Sequence, residues 1–233
     1  MKIILLPYFG GSSRSYDGVI DHLQGYECVP LSLANIGSSP YSVRRAMSDV
    51  AKRISGVIED EFVLIGHSMG GKLALGIASE NPVGLRGVVL IAPSPLSPEP
   101  LPESVRMAML ANHGTREAAI HTITGASYRE LSPEVLEAAI EGNLQTDPTD
   151  WKNWLEIGHK EDLSELLEFI KCPVLIMTGE FDVNMNPEFL TREIGEKIPG
   201  TEVKVIAGAG HLLPQEAPEE VAKLIKDWLQ HLD

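Results

Sequence analysis

The sequence predicts an α/β protein built on a mostly parallel six-stranded sheet flanked by helices, and two patterns carry that prediction. The first is a set of short apolar runs rich in β-branched residues: Lys2–Pro7, Glu27–Leu33, Phe62–Gly66, Gly87–Ala92, Pro173–Thr178 and Glu202–Ala207. Runs of this length and composition suit strands covered on both faces. The second is helical spacing between the runs, with apolar residues three and four apart at Val43, Met47, Val50, Ile54 and Val57, and again at Val221, Leu224, Ile225, Trp228 and Leu229. Strands alternating with helices imply parallel pairing, because each crossover returns the chain to the same end of the sheet.

The alternation breaks after the fourth run. Pro93, Pro95, Pro98, Pro100 and Pro102 crowd together, and a long stretch follows before the fifth run at Pro173. Within it, Ser132-Pro133 and Asp147-Pro148 each set a capping side chain before a proline suited to a first helical position, which marks two helix starts. The stretch therefore reads as a helical lid, residues 95–162, inserted into a core formed by residues 1–94 and 163–233. An insertion there sits over the carboxyl edge of the sheet, where open parallel sheets hold their ligand crevice.

With 233 residues, 43% of them hydrophobic, the chain suffices for one well-buried core. A formal charge of −14 argues against a large basic surface, and with it against nucleic-acid or anionic-membrane partners. A small-molecule substrate is expected, on a monomer or homodimer whose lid and C-terminal helix carry no unburied apolar stripe. The apolar stretch Ile3 to Phe9 is too short for a membrane span and lacks a processing site, so a cytoplasmic protein without a targeting segment is expected. Cys28 and Cys172 have neither metal nor redox spacing and read as reduced, core-facing thiols.

The segment from Phe62 to Ser79 places a serine where a buried strand gives way to a helix, in Gly66-His67-Ser68-Met69-Gly70-Gly71. A serine on so sharp a turn takes a strained conformation, and Gly66 and Gly70 leave room across the bend. The helix behind it directs its positive end and free N–H groups toward the serine, so that negative charge developing on a substrate oxygen is stabilised; the Met69 N–H is the first donor. His67, adjacent on the turn, points elsewhere and reads as a packing neighbour.

This segment resembles the nucleophile motif of the α/β-hydrolase superfamily, and the likeness extends over nearly the whole chain outside the lid. Gly179-Glu180-Phe181-Asp182, after the fifth run, is similar to the family's acid loop. Gly208-Ala209-Gly210-His211, after the sixth, is similar to its histidine loop. The order Ser, Asp, His is the family's order. A serine hydroxyl needs a neutral imidazole to take its proton, and that imidazole needs a carboxylate on its other nitrogen; the resemblance assigns these tasks to His211 and Asp182. It also places a second oxyanion donor at the Phe9 N–H, in Pro7-Tyr8-Phe9-Gly10-Gly11-Ser12, where Pro7 and Tyr8 stand in place of the family's His and Gly.

The resemblance implies a serine esterase cleaving a small carboxylic ester through an acyl-enzyme, without cofactor or metal. The same triad also serves thioesterases and carbon–carbon bond hydrolases, and ligand sensing with little turnover is a reading from another class. The Pro-x-x-Gly-Gly-Ser form of the first loop resembles that of type II thioesterases. Tyr8, Trp151 and Trp154 are candidate pocket residues, although the tryptophans read first as packing the lid onto the body.

Overall fold

A computed structural model describes residues 1–37 and 39–232, so that Asp233, the last residue assigned to the core, lies outside the described residues. In chain order the strands are β1 (Lys2–Leu6), β2 (Glu27–Pro30), β3 (Phe62–His67), β4 (Leu85–Ile91), β5 (Val174–Gly179) and β6 (Glu202–Ile206). The principal helices before β4 are α1 (Asp17–His22), α2 (Val43–Ser55) and α3 (Met69–Ser79). Between β4 and β5 come α4 (Glu103–Asn112), α5 (Arg116–Ala126), α6 (Pro133–Leu144) and α7 (Pro148–Asn153), the last running into a π turn at Trp154–Gly158. After β5 follow α8 (Pro187–Glu193), α9 (Leu213–Glu216) and α10 (Pro218–Leu229).

The sheet order is β2-β1-β3-β4-β5-β6, and every neighbouring pair is parallel. The sheet is thus wholly parallel, and the six sequence runs match its strands with small shifts at their ends. In β1, β3, β4 and β5 nearly every residue is buried, because helices cover both faces, whereas the edge strand β6 is largely exposed. Alternate residues point to opposite faces. Ile4, Leu6, Leu64, Val88, Leu90 and Ile176 belong to the core cluster shared with α2, α3 and α8, while Ile3, Leu5, Val63, Ile65, Val89 and Met177 belong to that shared with α1 and α10. The helical spacing in the sequence holds: Val43, Met47, Val50 and Ile54 are the buried stripe of α2, and Val221, Ile225, Trp228 and Leu229 that of α10.

The two predicted caps form. The Ser132 hydroxyl accepts from the Val135 N–H at 3.3 Å, and the Asp147 carboxylate accepts from the Thr149 N–H at 2.7 Å, each with proline opening its helix. The ends of the insertion close on each other, the Leu163 N–H donating to the Leu96 carbonyl at 2.8 Å. Lys72, wholly buried on α3, fastens both ends to the core by donating to the Ser97 carbonyl at 3.3 Å and the Glu161 carbonyl at 2.8 Å.

One expectation fails. The insertion does expose apolar side chains, Val105 and Met107 on α4, Ile120 on α5 and Tyr128 just after it; α4 buries none of its residues, and its Val105 and Met109 line a cavity. Cys28 and Cys172 are unpaired and pack against the core as expected, each half-buried, Cys28 because it lies on the edge strand β2. Among the described residues, no helix is long and apolar enough to cross a membrane.

Candidate active site

The carboxyl ends of β3, β5 and β6 deliver the three predicted side chains to one side of the sheet. The β3-to-α3 turn is as sharp as its sequence implies: Ser68 has φ 53° and ψ −118°, a conformation that costs a residue with a side chain about 1–3 kcal/mol. Hydrogen bonds hold it there. The Ser68 N–H donates to the Ile91 carbonyl at 3.0 Å, and the Ser68 carbonyl accepts from Gly71 at 2.7 Å and Ser94 at 3.0 Å. The glycines of the motif are sterically required, since a Cβ on Gly66 would lie 2.3 Å from the Gly70 carbonyl oxygen, and one on Gly70 2.5 Å from that of Leu6.

Asp182 follows β5 in a tight loop and is almost fully buried. One carboxylate oxygen accepts from the N–H groups of Asn184 at 3.1 Å and Met185 at 2.9 Å, which fixes its plane. The other lies 2.6 Å from Nδ1 of His211, in the loop after β6. Burial pushes the Asp182 carboxyl up, but the His211 charge, its hydrogen bond and the two backbone donors together hold it below the ordinary carboxylate value. Burial pulls His211 down, yet the Asp182 charge and hydrogen bond, with Glu99 and Glu216 farther off, leave it raised above 6.5.

His67 lies beneath this pair, fully buried, with Nε2 2.8 Å from the His211 carbonyl oxygen and its ring 5.1 Å from that of Tyr8. Burial, helped by the His211 charge, pushes its pKa down to about 3, so it is a neutral strut under the histidine loop. This agrees with its reading as a packing neighbour.

Ser68, Asp182 and His211 line a single cavity of about 850 Å³, together with Tyr8, Phe9, Trp151 and Trp154. Phe9 and Met69, the predicted oxyanion donors, both border a smaller cavity of about 260 Å³ that shares Tyr8, Phe9 and Trp154 with the larger one. Among the described residues neither of their N–H groups donates to a backbone carbonyl outside the regular elements or to a side chain, and the first residue of a helix has no acceptor within it. Trp151 and Trp154 combine both expected roles: they are buried in the main core and also wall the cavity. Trp151 stacks on His113 at 4.3 Å, sits 4.4 Å from the Phe9 ring and donates Nε1–H to the Met109 carbonyl at 3.0 Å.

Among the further polar side chains that reach this cavity, Glu99 and Asn143 carry no signal in the sequence. Glu99 sits among the prolines that follow β4; burial pushes its carboxyl up, against the Ser94 hydroxyl and the charges of Lys72 and His211. Asn143, at the end of α6, packs its amide against Gly10. Neither lies in a recognisable motif, and only the folding of the insertion over the sheet brings them near Ser68.

A wholly parallel sheet carrying a serine on a strained strand–helix turn and a carboxylate–imidazole pair at its carboxyl edge defines the α/β-hydrolase class. The chain belongs to the alpha/beta hydrolase family, whose model it matches over residues 3–224. It is 23% identical to a putative 2-succinyl-6-hydroxy-2,4-cyclohexadiene-1-carboxylate synthase of Bacillus subtilis, over 97% of this chain and 89% of that protein. It is 28% identical to an sn-1-specific diacylglycerol lipase of Xenopus laevis, over 98% of this chain and 79% of that one. Its fold superposes on an esterase from Exiguobacterium antarcticum with a TM-score of 0.87 at 16% identity, over 99% and 92% of the two chains.

Proposed function

We propose that this protein is a serine hydrolase that cleaves a carboxylic ester through an acyl-enzyme intermediate. The observation that carries the reading is the convergence of Ser68, on its strained turn, with the hydrogen-bonded Asp182–His211 pair in one largely apolar cavity. Ser68 Oγ adds to the substrate carbonyl carbon while Nε2 of His211 takes its proton. The Phe9 and Met69 N–H groups receive the oxyanion, where water-excluded donors are most effective. The tetrahedral adduct collapses, the C–O bond to the alcohol breaks, and the imidazolium protonates the departing oxygen. Water then repeats the sequence on the acyl-enzyme, with its proton passing through His211 and back to Ser68 as the acid leaves. Asp182 keeps the imidazole in the required tautomer and stabilises its cation.

The insertion, residues 95–162, acts as a lid that shapes the acyl or alcohol site through Trp151 and Trp154. Cleavage of a diacylglycerol ester by the Xenopus relative supports an ester substrate, while the synthase name of the Bacillus relative keeps other chemistry on the same side chains open to test. Hydrolysis of p-nitrophenyl esters alongside acyl-thioesters by the wild type and by Ser68→Ala tests the proposal. Multiple turnover of esters that disappears in the variant is the expected result. Thioester turnover alone would replace the ester by a thioester, and equal turnover by both proteins would refute the mechanism.

A further inference from the structure

Glu216, the last residue of α9, is a buried carboxylate that the mechanism above does not use; it is 7% exposed. It accepts hydrogen bonds from four backbone N–H groups: Oε2 from Tyr128 at 2.8 Å, Arg129 at 2.9 Å and Gly210 at 2.8 Å, and Oε1 from Leu212 at 2.9 Å. A carboxylate is an acceptor only, and all four donors aim at it, three at Oε2 and one at Oε1. Gly210 and Leu212 are the two neighbours of His211. The remaining N–H of the trio, that of His211 itself, donates to the Ala126 carbonyl at 2.9 Å, at the end of α5 where the α5–α6 connection that supplies Tyr128 and Arg129 begins.

The connection grips the histidine and acid loops at further points. The Arg129 guanidinium donates to the carbonyls of Ala207 at 2.9 Å, Gly208 at 3.0 Å and Glu216 at 3.2 Å, and pairs with Glu220 at 3.0 Å. The Tyr128 ring stacks on Phe181, beside Asp182, at 3.8 Å and 8° between planes. A Cβ on Gly210 would lie 2.7 Å from the Tyr128 nitrogen and 3.2 Å from Glu216 Oε1, so this contact admits no side chain.

Resting on the hydrolase reading, we propose that Glu216 is a positioning residue for His211: it fixes the backbone on both sides of the base and joins it to the α5–α6 connection, so that imidazole placement depends on seating of the insertion. The groups that face His211 are Asp182, Glu99 and Glu216, all of which favour its cation, and neutral His67 beneath it. Removing the Glu216 charge therefore lets His211 lose its proton more easily.

The test is Glu216→Gln, which keeps the shape but accepts at one end only, turning an NH₂ group toward backbone donors at the other. Four quantities are measured: kcat and KM on an ester, the rate of Ser68 labelling by a fluorophosphonate, the pH profile of kcat/KM, and the low-field proton resonance of the Asp182–His211 hydrogen bond. The expected result is a fall of about 10²-fold in kcat and labelling rate with KM unchanged, as for a small displacement of a reacting group. The acid limb should move to lower pH and the low-field resonance should broaden or shift. Arg129→Met, which keeps Glu216 but loosens the same connection, should reproduce the loss more weakly and serves if the glutamine variant does not fold. A folded Glu216→Gln, or failing that a folded Arg129→Met, with wild-type kcat, labelling rate and proton resonance would overturn the proposal. If the wild-type Ser68 does not label, the hydrolase reading fails, and the resonance alone decides whether Glu216 positions His211.

Discussion

Asp182 and His211 set each other's protonation, and the consequence is measurable at the residue scale. His211 acts as a base only when neutral, and its pKa is raised above 6.5 in the folded protein. The rate kcat/KM should therefore fall as pH drops through a midpoint above 6.5, and a midpoint at or below that value would contradict the electrostatics described here. Asp182→Asn removes the charge and presents an amide to Nδ1, so kcat at neutral pH should drop on the order of 10⁴-fold and the acid limb should move down. A drop smaller than about ten-fold would show that the pair does not work as a unit. Ser68, Asp182 and His211 were legible because each ends a glycine-bounded loop after an apolar run, a local pattern. Glu99, Asn143 and Glu216 were not, because what sets them apart is burial against segments distant in sequence, which no spacing records.

At the scale of elements, the insertion is held to the core by a lysine inside a helix. Lys72 is wholly buried and bonds one carbonyl at each end of the insertion, while burial pulls its pKa below the ordinary lysine value against the charges of Glu99, Glu161 and Asp162. Lys72→Met keeps the stem but strands both carbonyls, at about 1–3 kcal/mol each if nothing replaces the bond. The midpoint of thermal unfolding should fall by at least about 4 °C for a chain of this size, and an unchanged midpoint would show that the clamp contributes nothing. The sequence revealed the strands and the capped starts of α6 and α7 because those signals are local. It did not reveal that α4 would bury no residue, since Val105 and Met109 line a cavity and Met107 is exposed, while Met109 and Leu110 pack only partly against the core.

For the whole molecule, the decisive quantity is the cavity, at about 850 Å³ far larger than an acetyl group requires. Its walls combine side chains from the sheet edge with Trp151, Trp154 and Ile123 from the insertion, so its size follows from tertiary packing that the sequence alone could not fix. If acyl chains fill it, each added methylene buries about 0.8 kcal/mol, and kcat/KM should rise about four-fold per methylene from acetate to medium-chain esters. A maximum at acetate would mean that the alcohol portion, not the acyl chain, occupies the space. The parallel sheet and the order of its functional loops were readable because strand, turn and helix recur in sequence as they do in space.

All of these expectations rest on Ser68 as the nucleophile. Reaction with a fluorophosphonate followed by mass spectrometry of the digested protein tests that directly. One phosphonyl group per chain, on Ser68, is the expected result, with labelling lost in Ser68→Ala. An unlabelled protein, or label on another residue, would contradict it.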